Sequence, residues 1–370
     1  MASSRLVSLD VFRGATMAAM VIVNNPGDWG QMYAPLKHAE WHGWTPTDLI
    51  FPFFVFIMGV SITLSARSVA PVSVILRRAA LIYAMGFFLA LYPRFDFSIV
   101  RVMGVLPRLA LAYLGTALIF RALQQESRED QGRAAITIGA VCLLIYWALL
   151  MFVAPPGGVA GDLTPAGNLG AWLDRTIIGE AHLWRTAKTW DPEGLLGTLP
   201  TIGTALMGVA AGIIITSERS SSEKVATLLA GAGVALAIGL VWDRSFPINK
   251  NLWTSSYAIF TSGAAAMALA ACYWIIDVRG AQRWTHPFVV FGTNALVLFV
   301  ASGLLVKTLV FFKVTGSAGT EITVYRWLYE VGFQPFGSPK NTSLAFSLAM
   351  LAVMYGLCAF LYRRRWFLRV

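Results

Sequence analysis

Ten long apolar segments recur along the 370 residues, and they constrain this chain more than any single motif does. They cover residues 6–24, 49–66, 74–92, 107–122, 134–153, 200–217, 225–242, 254–276, 286–306 and 343–362. Each is dominated by Leu, Val, Ile, Ala, Phe and Gly, and a helix of roughly 20 such residues crosses the ~30 Å hydrocarbon core of a bilayer. Backbone groups in lipid must be satisfied within the segment, so helix is the expected state. The strict alternation of a membrane barrel is absent. The expected fold is therefore all-α, a polytopic transmembrane bundle of about ten spans forming one domain over residues 1–370. Composition agrees: 57% of residues are hydrophobic and 13% charged, half the ~25% charge of a soluble domain.

A formal charge of +10 would suit nucleic acid, but the basic residues sit in short blocks at span ends, as at Arg77–Arg78 and Arg363–Arg364–Arg365. Such placement sets topology and meets anionic lipid headgroups. Membrane lipid is the expected partner, and nucleic acid is not. With the N-terminus inside, the short loops on that side with their adjoining span ends hold 15 Lys and Arg in 55 positions, against 13 in 135 on the other. Both termini are thus expected in the cytoplasm, with the Asn24–Asp48 loop facing the periplasm or a lumen. The start, MASSRLVSLDVFRG, is too polar for a cleaved leader. Cys142, Cys272 and Cys358 lie in apolar runs and read as packing residues.

Polar residues interrupt this pattern in a few places. Asp10 and Arg13 share one face of the first span, either as a structural pair or with Arg13 offering charge to an anionic cofactor from the cytoplasm. The first loop reads NNPGDWGQMYAPLKHAEWHGWTPTD and carries Asn24, Asn25, His38, Glu40, Trp41, His42 and Asp48. His38 and His42 have metal-ligand spacing, yet HAEWH lacks the glutamate position of the zinc-protease helix and Gly43 would end any helix, so no metal is expected. Further clusters occur at Arg101 with Arg108, at Asp191 with Glu193, and at Asn249, Lys250 and Asn251, while Asn294 lies inside the ninth span. Together they suggest a common polar cavity. Asp191-Pro192-Glu193 reads equally as a helix start. The loop 154–199 is long enough to be functional; its AWLDRTIIGEAHLWRT stretch predicts a short interfacial helix, and Trp172, Trp184 and Trp190 predict a lid at headgroup level.

SLDVFRG, VNN, HAEWHGWTPTDLIFPFFVFIMG, RVMGVLPRL, DPEGLLGTLPTIGTALMGVAAG, PINKNLW and PFVVFGTNAL together resemble the heparan-alpha-glucosaminide N-acetyltransferase family over essentially the whole chain. The stretch from Asn24 to His38 is a few residues longer than in the lysosomal form, and no luminal domain is expected ahead of the first matching span. The resemblance implies acetyl transfer from cytosolic acetyl-CoA to the amine of a glucosamine-type sugar across the cell inner membrane, and suggests a homodimer. It assigns catalytic roles to His38 and Asn24 and matches the family aspartate to Asp48. His38 then suits proton removal near neutral pH, Asn24 an amide donor to the oxyanion, and Asp48 the orientation of the imidazole. Arg13, Arg101, Arg108 and Lys250 are the candidates for CoA phosphates or substrate, and Asn25, Trp41, Asp191, Glu193, Asn249, Asn251 and Asn294 are the candidates to line the acceptor site. Direct transfer in one cavity is preferred to an acetyl-histidine intermediate. The alternatives are a sugar or lipid-linked-sugar transporter, and an O-acyltransferase acting on an envelope glycan.

Overall fold

A computed structural model describes residues 6–65, 71–316 and 319–367. Within them the apolar runs form helices α1 (Val7–Asn24), α2 (Ile50–Leu64), α3 (Val72–Leu91), α4 (Val105–Ala122) and α5 (Arg128–Phe152). After the short α6 (Leu169–Ile177) come α7 (Thr198–Thr216), α8 (Ser221–Trp242) and α9 (Ser255–Cys272), the last continuing into a π-helical turn at Tyr273–Val278. The chain closes with α10 (His286–Thr293), α11 (Ala295–Phe311), a hairpin of β1 (Lys313–Thr315) and β2 (Glu321–Thr323), α12 (Val324–Gly332) and α13 (Pro339–Arg363). Among the described residues nine helices are long and apolar enough to cross a membrane, and α10 and α11 reach that length and apolarity only together, as a bent pair. The protein is a multi-pass, all-α membrane bundle.

Several helices outrun the apolar segments that announce them. α5 starts at Arg128 instead of 134 because Ser127 caps it, accepting from Asp130 N at 3.1 Å, and Arg133 pairs with Glu129 at 2.6 Å one turn on. Charged first turns of this kind extend a span into the headgroup layer.

α7 is the most enclosed span, with 72% of its apolar window buried, whereas α8 has 17% and turns its side chains outward. Lipid tails supply no hydrophobic drive between helices, so close backbone approach at small residues holds such bundles together. α2 and α7 show it directly: a Cβ on Gly59 would stand 1.9 Å from the Ala205 carbonyl oxygen, and one on Gly208 2.1 Å from that of Phe56. α1 meets α10 in the same way, through Gly14 against the Phe288 carbonyl and Gly292 against that of Asp10. The start of α1 is capped from outside its own segment, Ser8 N donating to the Asp277 carboxylate at 3.2 Å.

The continuous span expected over 286–306 is corrected. α10 and α11 meet at an angle of 80°, with Asn294 at the joint. Its side chain is 1% exposed, and neither its oxygen nor its nitrogen has a hydrogen-bond partner among the described residues. The interfacial helix expected within 171–186 is shorter and earlier. Asn168 caps it by accepting from Ala171 N, and Gly179, at φ +86°, turns the chain away soon after it ends.

Candidate functional site

The loop between α1 and α2 is organised around one carboxylate. Thr45-Pro46-Thr47-Asp48 makes a capping box at the tight turn Pro46–Leu49 that leads into α2, with Pro at the first helical position. Asp48 Oδ2 accepts from Thr45 N and Ala39 N, both at 3.0 Å. Oδ1 is left for the His38 Nδ1 at 2.6 Å. An ionised carboxylate only accepts, so Nδ1 carries the proton in this pair and Nε2 presents a lone pair. Tyr257 of α9 fixes the turn from behind, its hydroxyl donating to the Asp48 carbonyl at 2.5 Å. Asp48 is 1% exposed, while the His38 side chain is 43% exposed.

A second loop, between α8 and α9, brings Lys250 to the same point. Its Nζ lies 2.9 Å from His38 Nδ1, 3.3 Å from Nε2 and 3.5 Å from Asp48 Oδ1. The backbone there is pinned at several places: Ile248 N donates to Asp243, Leu252 N to Asn249 Oδ1, and Trp253 N to the Lys250 carbonyl. Trp253, fully buried, is held at φ +53°, a region that favours glycine. The two loops also bind each other, Gly43 N donating to the Ile248 carbonyl at 2.7 Å. Burial pushes the Lys250 ammonium below the usual lysine range, against the opposing pull of Asp48 and Glu193.

His38 and Lys250 line a cavity of about 950 Å³, at the upper end of the ~300–1,000 Å³ usual for small-molecule sites. Along α1 its wall includes Asp10, Arg13, Met17, Met20 and Asn24, one stripe at helical spacing, so the cavity follows the helix for about 21 Å. α2 contributes a parallel stripe from Ile50 to Ser65. At one end stand Asn24, His38, Glu40, Trp184, Trp190, Glu193, Lys250 and Asn251; at the other, Asp10, Arg13, Ser61 and Arg78. Arg13 donates to Ser61 at 2.8 Å and reaches Asp10 at 3.3 Å and the Gly292 carbonyl at 3.4 Å. Arg78 lies over the Tyr113 ring, 4.7 Å from its centroid, and its Nε has no hydrogen-bond partner among the described residues.

Of the catalytic, cofactor and acceptor-site candidates read from sequence, Arg13, Asn24, His38, Arg101, Glu193, Lys250 and Asn251 line this cavity. The others stand behind it. Asn25, adjacent to Asn24, turns inward and donates to the Val21 carbonyl. Asn249 reaches His42 at 3.3 Å and shapes the lysine loop; His38 and His42 thus turn to different partners. Trp41 donates to the Leu163 carbonyl and stacks edge-on with Trp190, which does face the cavity.

Asp191 is no helix start, since α7 begins at Thr198; with Glu193 it holds Arg101, whose Nε lies 2.8 Å from Asp191. Those carboxylates raise the Arg101 guanidinium above its ordinary range in spite of burial, and they hold its Nε and Nη2. Arg108 is buried outside the cavity wall, donating to the Gly194 carbonyl at 2.6 Å and lying against Trp253. Asn294 sits at the helix break, also off the wall.

Lys250, grouped by sequence with the CoA-phosphate candidates, is instead at the His38 end. Arg78 was missed, because beside Arg77 it looks like ordinary topology charge; its one sequence signal is a register that puts it, with Ile82, on a single face of α3. Asp174, in α6, was missed too. Its buried carboxylate accepts from Leu195 N at 2.8 Å, and burial pushes it up to about 6.

The family model described as "Heparan-alpha-glucosaminide N-acetyltransferase, catalytic" matches residues 5–153. Heparan-alpha-glucosaminide N-acetyltransferase of Mus musculus is 31% identical over 363 residues, covering 82% of this chain and 54% of its own. The protein of the same name from Homo sapiens is 31% identical over 352 residues, 80% of this chain and 52% of its own. The chain belongs to the heparan-alpha-glucosaminide N-acetyltransferase family. It spans about half the length of these two curated relatives. The family's catalytic segment includes Arg13, Asn24, His38, Asp48 and Arg78, while Trp184, Trp190, Glu193 and Lys250 come from beyond residue 153.

Proposed function

We propose that the chain acts as one transferase domain, moving acetyl from acetyl-CoA to the amine of a glucosamine-type sugar with His38 as general base. The observation that carries this reading is the single cavity reaching from Arg13 and Arg78 to the His38–Asp48 pair. The arginines suit the phosphates of CoA, which would enter from the cytoplasm, and the pantetheine arm would lie along the apolar stripe of α1 and α2. The amino sugar would approach from the opposite side of the inner membrane, where Glu40 and Glu193 offer charge to an ammonium and Trp184 and Trp190, 5.4 Å apart, offer ring faces.

In the transfer, the neutral amine attacks the thioester carbonyl, a C–N bond forms, and the carbonyl electron pair moves to oxygen. His38 Nε2 takes the amine proton, while Asp48 stabilises the imidazolium that results. Asn24 is placed to donate an amide N–H to the oxyanion. The intermediate then collapses, the C–S bond breaks, and the proton passes from Nε2 to the thiolate, giving amide and free CoA. Both substrates share one cavity, so no acetyl-histidine is needed to carry the group.

The test is release of free thiol from acetyl-CoA by purified protein with glucosamine, wild type against His38→Ala. Loss of release by about 10²–10⁴-fold is expected for removal of a general base. Release untouched by the substitution contradicts the role of His38, and release with hydroxyl acceptors but no amine points to O-acylation. A transporter is the second reading, favoured by the break between α10 and α11, since discontinuous helices mark many transport sites. Uptake of labelled amino sugar into vesicles without acetyl-CoA would support it.

A further inference from the structure

Among the described residues that line the His38 end of the cavity, Lys250 is the one Lys or Arg not locked into a two-carboxylate clamp of the kind that holds Arg101. Its side chain is 21% exposed and lines the cavity beside Asn24 and His38. An ammonium has three N–H groups. Asp48 Oδ1 and the imidazole take two of them at most, because Asp48 Oδ2 is already filled by backbone donors. The lysine stands beside the imidazole, 3.3 Å from Nε2, and so next to the place where Nε2 must meet the amine. The carbonyl under attack stands next to that amine. A donor there faces the oxygen on which charge develops, and donors preorganised at that place are worth most in transition-state stabilisation.

We propose that the Lys250 ammonium is a catalytic residue, donating a hydrogen bond to the thioester oxygen as it becomes negative during acetyl transfer. The inference rests on the acetyltransferase reading given above and adds to it a charged donor from the far half of the chain. Its site argues against a hold on CoA phosphates, since it is separated from Arg13 and Arg78 by the length of the α1 stripe. The loop around Trp253 is built to keep it there: a strained residue, a turn closed on the Lys250 carbonyl, and an asparagine folded back on its own backbone.

The role needs a protonated amine. The charged and titratable groups facing Lys250 are His38, Glu40 and Asp48 from the first loop, with Arg101 and Glu193. Burial sets its ammonium below the lysine norm, so turnover should fall on an alkaline limb beneath the ~10.4 of a free lysine. The acceptor amine must be deprotonated to attack, so it gives an acid limb and cannot imitate it.

The experiment measures kcat and KM for acetyl-CoA and glucosamine across pH in wild type, Lys250→Met and Lys250→Arg, with acetyl-CoA binding as the check on folding. Expected for Lys250→Met is a fall in kcat of about 10²–10³-fold, with acetyl-CoA binding retained and both KM values within about threefold. Expected for Lys250→Arg is activity within about tenfold of wild type and loss of the alkaline limb, since guanidinium stays charged. Wild-type kcat surviving in Lys250→Met, a rise in KM alone, or an alkaline limb unchanged in Lys250→Arg overturns the inference while leaving the acetyltransferase reading intact. No thiol release by wild type overturns both.

Discussion

At the His38 end of the cavity the polar groups are knotted to backbone: Asp48 to two amides, the lysine loop to itself and to Gly43, Trp41 to Leu163. At the other end, Arg13 and Arg78 reach inward as long cations from separate helices, Arg13 beside Ser61, Asp10 and the Gly292 carbonyl, and Arg78 over the Tyr113 ring. Bond-making requires reacting atoms held within a few tenths of an ångström, which short loops closed on themselves provide. Holding a polyphosphate requires charge, and flexible stems tolerate its several orientations. In the proposed transfer chemistry falls at one end and binding at the other, and substitutions at each end should separate kcat from KM.

The largest effect is expected for Asp48→Asn. The amide keeps an oxygen for Ala39 N and Thr45 N but turns an NH₂ toward His38, forcing the wrong tautomer. A fall in kcat of about 10²–10⁴-fold with little change in acetyl-CoA affinity is predicted from steady-state kinetics. A rise in KM with kcat retained would erase the division between the ends. Arg78→Gln should do the opposite, raising KM for acetyl-CoA by about tenfold or more, the worth of one charge-assisted hydrogen bond of ~1.5–3 kcal/mol, with kcat changed far less. If kcat carries the loss instead, Arg78 is not a phosphate ligand.

The smallest effect concerns the loop that carries Trp184 and Trp190. Burial holds Asp174 at about 6, up from 3.8. The folded protein therefore keeps this proton to higher pH than the unfolded chain does, and the contribution to stability is lost as pH rises from about 4 to about 6. Two units correspond to at most roughly 3 kcal/mol. Asp174→Asn keeps an oxygen for Leu195 N and should raise the unfolding midpoint at pH 7 while leaving it nearly unchanged at pH 4. A lower midpoint at pH 7 would mean that the ionised carboxylate is the stabilising form.

Much of this architecture is written in the sequence as apolar length. Nine crossings follow from it within a few residues, because the bilayer leaves helix as the only way to satisfy backbone groups. The break at Asn294 was hidden, since no proline stands beside it and Gly292-Thr293-Asn294 is too short an interruption to end an apolar run. Asn24 and Asn25 show another limit: both end the same helix, yet rotation by one residue sends one to the cavity and the other into the bundle. Arg101 and Arg108 looked alike as cations near a span start, and only tertiary partners reveal that acids claim the first and the core encloses the second. Lys250 lies 212 residues from His38, a pairing that no local spacing encodes.

In the proposed reaction one cavity serves both substrates from opposite ends. Reconstitution into sealed vesicles with the N-terminus inside, acetyl-CoA enclosed and amino sugar added outside, tests it directly by following N-acetylated sugar. Product should accumulate outside, dependent on both His38 and enclosed acetyl-CoA. Product formed only when sugar and acetyl-CoA share one compartment would contradict it.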